Sequence, residues 1–291
     1  MDSSMNMQVT VYKMASFTKN GSGGNIAGVV LNAEQISEKQ MQHIATIVGY
    51  SETVFLSSVG GNNYTCRYFT PKMEVPFCVH ATLGASHLLK IKMHCKDTLG
   101  FQTKGGNISV HIDTSLLVKI WQPPPLEYET VKREDMLQFF PGHDLHYQLP
   151  SVKIFVALPT LIIPFSGMHV VAGLDSSDKI WSELSKKFRV RIIYCFTQER
   201  IYIDSTVHAR MFAPEIGICE ESATGMAAGA LAAYYFREKY LELGQNIVIE
   251  QGYKLGSPSE ICVEIAGNGN KMTDSIVGGK AQLIMQENMY I

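Results

Sequence analysis

Residues Met41, Ile44, Ala45 and Val48 are apolar at i, i+3, i+4 and i+7, the spacing of a helix with one face in a core. Ser37 and Gln40 in front of them form a capping box: the serine oxygen can accept from the amide three residues on, and the glutamine can reach back. Gly49 is a natural stop. Around this helix the apolar positions change to a strand period. Residues 9–15, 53–57 and the segment "YTCRYFTP" read as strands, and the glycines at 21, 23, 24 and 28 mark a turn where backbone comes close to something. The stretch "EVPFCVHATLGASHLL" (74–89) then turns from a β-like run into a helix-like one, and further strands are predicted between 94 and 122.

The second half follows the same order. Strand-like segments at 152–157 and 168–171 precede a helix over about 177–187 capped by Asp175 or Ser176. Strands at 192–196 and 207–212 lead into "APEIGICEESATGMAAGALAAYYFREKYL", again strand, turn and a helix of small residues. Closing strands are predicted at 247–251, 260–265 and 276–285, a short helix over 134–140, and a proline-stiffened linker at 122–129. One Ala/Gly-rich helix after a run of strands, twice, is the pattern of a helix enclosed by a curled sheet.

Composition narrows the class. The 291 residues suffice for two lobes, and 46% hydrophobic with 18% charged residues describes a globular chain. A formal charge of −2 gives no general electrostatic reason to bind nucleic acid or an anionic membrane. The longest apolar runs, 226–236 and a proline-interrupted 154–174, are too short or too broken to span a bilayer. The N-terminus lacks the pattern of a signal peptide, and six scattered cysteines favour reduced thiols, so a cytoplasmic location is expected.

Few residues have the spacing for chemistry. Cys78/His80 and His94/Cys95 are the only close Cys/His pairs, and neither has a second pair nearby, so no metal site is predicted. Cys78 is either a thiol activated by a helix start and His80 or a small packed residue. Glu52 is either a solvated loop carboxylate or an inward-facing one, whose pKa desolvation would raise toward neutrality. His80 and "EESATG" stand at the two helix starts, where free amides and dipole charge suit a carboxylate or enolate-like anion. Glu220 and Glu221 also satisfy the ordinary preference of acidic residues for helix N-termini.

Five segments in order, "GGNIAGVVL", "IATIVGYSETVFL", "YFTPKMEVPFCVHATLGASHLL", "ARMFAPEIGICEESATGMAAGALAAYY" and "VGGKAQL", resemble the phenazine-biosynthesis PhzF-like family, related in fold to diaminopimelate epimerase. The resemblance implies an α+β fold of two similar lobes, each a β-barrel-like, mostly antiparallel sheet around a central helix. The lobes would be 1–121, with a C-terminal strand at about 276–291 returning to it, and 122–275. It implies a cofactor-independent isomerase, without metal, acting on a small carboxylate-bearing substrate, and a homodimer. Glu52 would be the proton shuttle. Ser51, Val79, His80, Glu221, Thr224, Gly225 and Met226 would bind substrate. Val79 stands where the family has glycine, Glu221 where it has aspartate, Ser222 where it has proline and Met226 where it has serine. Two alternatives share the scaffold. One is a catalytically altered binding protein. The other is a two-base amino-acid epimerase, whose opposed cysteines would fall at Cys78 and Thr224.

Overall fold

A computed structural model describes residues 7–291. The chain divides into two compact units, residues 7–120 with 279–291, and residues 121–278.

In the first unit, strand Gln8–Ser16 lies antiparallel between Asn25–Val30 and Ala281–Tyr290. Helix α1 (Glu38–Val48) crosses over so that Glu52–Gly60 runs parallel to Asn25–Val30, with Ala27 opposite Glu52. Asn63–Phe69 returns antiparallel. Helix α2 (Val79–Met93) then crosses to Thr98–Thr103, parallel to it, and Gly106–Ile112 and Val118–Gln122 follow antiparallel. The predicted capping box is present: Gln40 N–H donates to Ser37 Oγ at 3.4 Å and Ser37 N–H to Gln40 Oε1 at 2.9 Å. Gly49 ends α1 at φ 69°.

The second unit repeats this order strand for strand. Glu127–Thr130, Val152–Phe155 and Pro159–Pro164 are antiparallel neighbours. Helices α3 (Arg133–Met136), α4 (Met168–Gly173) and α5 (Ile180–Phe188) lie in the connections, and Ile192–Thr197 runs parallel to Pro159–Pro164. Val207–Ala213 returns, and helix α6 (Gly225–Arg237) crosses to the parallel strand Asn246–Gln251. Ser259–Asn268 and Lys271–Gly279 close the run. The fold is therefore α+β, with two similar lobes that each set a mostly antiparallel sheet against one central helix.

In each unit one sheet face carries the central helix and the other carries outer helices. On the outer face of the first unit, Met41, Ile44 and Ala45 of α1 pack on Val9, Val11, Val30, Phe55 and Phe69. In the second, Trp181 of α5 stacks on Phe212, ring centroids 4.0 Å apart. The central helices are buried on all sides, continuously from Val79 to Leu89 in α2. Such a helix needs small residues where a strand crosses it closely. A Cβ on Gly84 would lie 2.9 Å from Met14 Cβ and 3.0 Å from Ser16 Oγ, and one on Gly229 2.8 Å from Ser275 Oγ. This accounts for the Ala/Gly content of both helices.

Several local expectations are corrected. Residues 168–171 belong to helix α4, and the strand beside them is Pro159–Pro164, whose terminal prolines disguise it. Helix α5 begins after Lys179. Asp175 accepts from Ser177 N–H at 2.9 Å in a turn, and Asp178 from Ile180 N–H at 3.0 Å. The helix expected at 134–140 is one turn, Arg133–Met136. The strand expected at 276–285 is two strands broken at Lys280. The linker shrinks to 123–126, because Gln122 is buried and Glu127 already pairs with Phe155. All six cysteines are free, and no helix among the described residues is long and apolar enough to cross a membrane.

Candidate active site

Gly49 reverses the chain at the end of α1, so Ser51 and Glu52 arrive at the start of a strand lying beside Asn25–Val30. Cys78 is the N-cap of α2, and His80 lies in that helix's first turn. These constraints gather four side chains around one imidazole. His80 Nε2 is 3.2 Å from Ser51 Oγ and 3.2 Å from Glu52 Oε2. Its Nδ1 is 3.3 Å from the Asn25 amide group and 3.3 Å from Cys78 Sγ. Ser16 Oγ–H donates to the His80 carbonyl at 2.7 Å, and Ser51 Oγ–H to the Ile26 carbonyl at 3.1 Å. A half-turn of the Asn25 amide lets it serve a neutral or a charged ring.

The imidazole is nearly dry, His80 being 3% exposed and Cys78 8%, while Glu52 is part-buried and Ser51 exposed. Burial raises the Glu52 pKa, as the sequence suggested. The charge of His80 outweighs it, together with a hydrogen bond from His80, and the net shift is downward. The expectation of a raised carboxyl is therefore corrected: Glu52 rests as a carboxylate. Burial likewise opposes an imidazolium, but hydrogen bonding to Cys78 and Glu52 and the charge of the Glu52 carboxylate hold the His80 pKa above its ordinary value. Burial, and then the Glu52 charge, push the Cys78 thiol up. Cys78 is thus a protonated thiol touching the imidazole, neither an inert core residue nor a ready nucleophile. Val79 is 4% exposed, its side chain packed inside the protein.

In the second unit the two glutamates of "EESATG" part. Alternation along Ile218–Glu221 sends successive side chains to opposite faces. Glu220 makes a two-pronged pair with the buried Arg210 guanidinium, at 2.8 and 2.6 Å. Glu221 Oε2 accepts from Thr224 Oγ–H at 2.5 Å. Gln251, wholly buried, holds this turn. Its Nε2–H donates to the Glu221 carbonyl at 2.8 Å, and its Oε1 accepts from Tyr194 O–H at 2.9 Å and Thr224 N–H at 3.3 Å. Thr224 is the N-cap of α6, with Gly225 and Met226 in the first turn.

Sequence reasoning missed Asn25, Ser16 and Gln251. The glycines before Asn25 signalled close backbone approach, and Gly252, whose Cβ would meet the Ser222 carbonyl at 2.6 Å, signals the same beside Gln251. It also missed that Glu52 joins Cys78 and His80, three donor groups within 4.8 Å of one another. A cavity of about 310 Å³ elsewhere in the second unit, bordered by Lys132, Lys153, Lys187 and Arg189, includes none of the candidate residues. Lys153 and Lys187 are paired there with Glu129 and Asp135.

Comparison with known proteins bears on the family and the fold. An uncharacterized isomerase of Bacillus subtilis, YfhB, is 30% identical over 282 residues, 93% of this chain and 95% of that protein. A trans-2,3-dihydro-3-hydroxyanthranilate isomerase of Pseudomonas chlororaphis is 29% identical over 88% of this chain and 90% of its own length. The crystal structure of a Bacillus anthracis phenazine biosynthesis protein of the PhzF family superposes with a TM-score of 0.87 at 25% identity, covering 98% of this chain and all of that one. The profile of the PhzC-PhzF family, phenazine biosynthesis-like proteins, matches residues 14–287. With nearly the whole chain matched in sequence and in fold, the protein belongs to the PhzC-PhzF family of phenazine biosynthesis-like proteins.

Proposed function

We propose that the protein is an isomerase in which Glu52 moves a proton within a small carboxylate-bearing substrate, without a cofactor. The observation that carries this reading is the contact of the part-buried Glu52 carboxylate with the buried His80 Nε2. There the carboxylate rests ionised, as a base must be, and the adjoining imidazole offsets its charge. A substrate C–H bond breaks, its proton passes to Glu52, and the electron pair delocalises into the substrate as an enolate or dienolate. Glu52 then returns the proton to a second carbon of the same substrate. First-turn amides of α2 favour the developing anion, and the family resemblance assigns the same task to Thr224, Gly225 and Met226, with Glu221 as a polar grip.

The relative named for isomerising trans-2,3-dihydro-3-hydroxyanthranilate, itself a carboxylate, supports the substrate class. The two-base alternative lacks its second acid: the hydroxyl of Thr224 is committed to Glu221 and is a far weaker acid than a thiol. Solvent-deuterium incorporation into a panel of small amino, hydroxy and dihydroaromatic acids tests the proposal. Glu52→Gln should lower incorporation by about 10²–10⁴-fold while ligand binding persists. Full exchange in that variant would refute the assignment of Glu52.

A further inference from the structure

Gln251 ends strand Asn246–Gln251, and its side chain is wholly buried beside the turn that carries Glu221 and Thr224. Two groups that cannot change roles fix the orientation of its amide. The Glu221 carbonyl, 2.8 Å away, only accepts, so Nε2 must face it; the Thr224 N–H, 3.3 Å away, only donates, so Oε1 must face it. The Tyr194 phenol agrees. Burial and then the Glu221 charge hold it above its ordinary pKa, and its O–H donates to Oε1 at 2.9 Å. With Nε2 so placed, it also donates to Thr224 Oγ at 3.3 Å. That oxygen sends its own hydrogen to Glu221 Oε2, at 2.5 Å. The chain of hydrogen bonds runs one way, from Gln251 through Thr224 to Glu221, and ends on an acceptor.

Both polar hydrogens of Thr224, hydroxyl and amide, are therefore spent inside the protein. Contacts to an anion at this turn fall to the amides of Gly225 and Met226, and Glu221 meets a ligand as a hydrogen-bond acceptor. We propose that Gln251 is a positioning residue that sets this polarity, and that the turn thereby selects carboxylic acids that also carry an amino or hydroxyl donor. The proposal rests on the reading of Glu221 as a substrate grip. An acid with such a donor gives its hydrogen to the carboxylate; the same acid without it strips water from the carboxylate and returns nothing. Without Gln251 the Thr224 hydroxyl is free to turn, and the turn can donate as well as accept.

The experiment titrates the full chain with anthranilate and with benzoate, the same acid lacking the amino group, by calorimetry. Hydrogen exchange of the Thr224 amide is followed in the ligand-free protein. The unaltered protein should prefer anthranilate by about 10–100-fold, the worth of a hydrogen bond to a charged group. Gln251→Glu keeps the size of the side chain and the oxygen that accepts from Thr224 N–H, so protection of that amide should persist. In either protonation state its carboxyl has no hydrogen to spare for Thr224 Oγ, and the preference should collapse toward parity. Gln251→Met removes both roles and should lose the protection together with the preference. An undiminished preference in Gln251→Glu overturns the positioning role. Parity in the unaltered protein, or no binding of either acid at millimolar concentration, overturns the selection. Solvent-deuterium incorporation that depends on Glu52 alongside such parity upholds the isomerase reading without this one.

Discussion

Arg210 offers the sharpest test of how the second unit is held together. Its side chain and that of Glu220 are each 2% exposed. The guanidinium donates twice to Glu220, at 2.8 and 2.6 Å, and through Nη1 to the carbonyls of Val171 at 3.0 Å and Leu174 at 2.6 Å. It also lies over the Phe212 ring, 5.1 Å from its centroid. Glu220→Ala removes the only carboxylate paired with a charge that has no access to water. Breaking a buried pair from one side costs about 3–5 kcal/mol, roughly 10²–10⁴-fold in the folding equilibrium. Replacing both partners, Arg210→Met with Glu220→Ala, eliminates the stranded charge and leaves two carbonyls short of a donor, at about 1–3 kcal/mol each if they stay dry. The double variant should therefore cost less than the sum of the two single variants, each of which strands one buried charge, with a coupling energy above about 2 kcal/mol. Urea unfolding of the parent, Arg210→Met, Glu220→Ala and the double variant, followed by tryptophan fluorescence, measures it. A cost below about 1 kcal/mol for Glu220→Ala, or strict additivity, would refute the reasoning.

Other expectations follow from the same geometry. With Glu52 below the ordinary carboxylate value of ~4.3 and His80 above the ordinary imidazole value of ~6.5, kcat/KM should fall on the acid side only below ~4.3 and on the alkaline side only above ~6.5. An acid limb centred near neutrality would contradict the pairing. Glu250, which accepts from Ile201 N–H at 2.9 Å and Tyr202 N–H at 2.7 Å, has its pKa lowered to about 2: burial opposes the charge, but His208 and these amides outweigh it. Because the folded pKa is the lower one, its stabilisation is complete above the unfolded value of ~4.3 and is lost as the pH falls toward the folded value. Glu250→Gln should flatten the acid dependence of the urea midpoint in that window. Gly84→Ala should destabilise by about 1–3 kcal/mol through its contact with Met14 Cβ, whereas Gly173→Ala, with open space around it, should be neutral or stabilising by up to about 1 kcal/mol in thermal unfolding.

Much of the fold was legible because it is written locally. The capping box at Ser37, the αL stop at Gly49 and the Ala/Gly periods of α2 and α6 are short-range signals, and the structure carries each of them. The failures lie where tertiary contacts override local preference. Pro159–Pro164 is a strand because its neighbours on both sides supply the pairing, and residues 168–171 are β-branched enough to read as strand yet form α4. At the candidate site, residue identities were readable but their electrostatics were not. The direction of the Glu52 shift depends on whether an imidazole stands beside it, and His80 comes from another element. Cys78 and Glu220 were ambiguous for the same reason. Whether a thiol packs or touches a ring, and whether a glutamate faces a helix start or a buried arginine, is decided by partners distant in sequence.

The matching strand order of the two units bears on how such a protein can change. A duplicated frame offers two equivalent helix starts, and here they have diverged: one is surrounded by a thiol, an imidazole and a carboxylate, the other by a neutral threonine–glutamine network around Glu221. The scaffold demands of the second copy only that its turn stay clamped, which Gln251 and Gly252 secure from a neighbouring strand and its turn. Side chains at Ser222, Met226 and their neighbours are thereby released from the duty of proton handling. Under the proposed assignment of the proton to Glu52, substitution at Ser222 or Met226 leaves the proton-handling group untouched, a separation that a single, unduplicated lobe could not support.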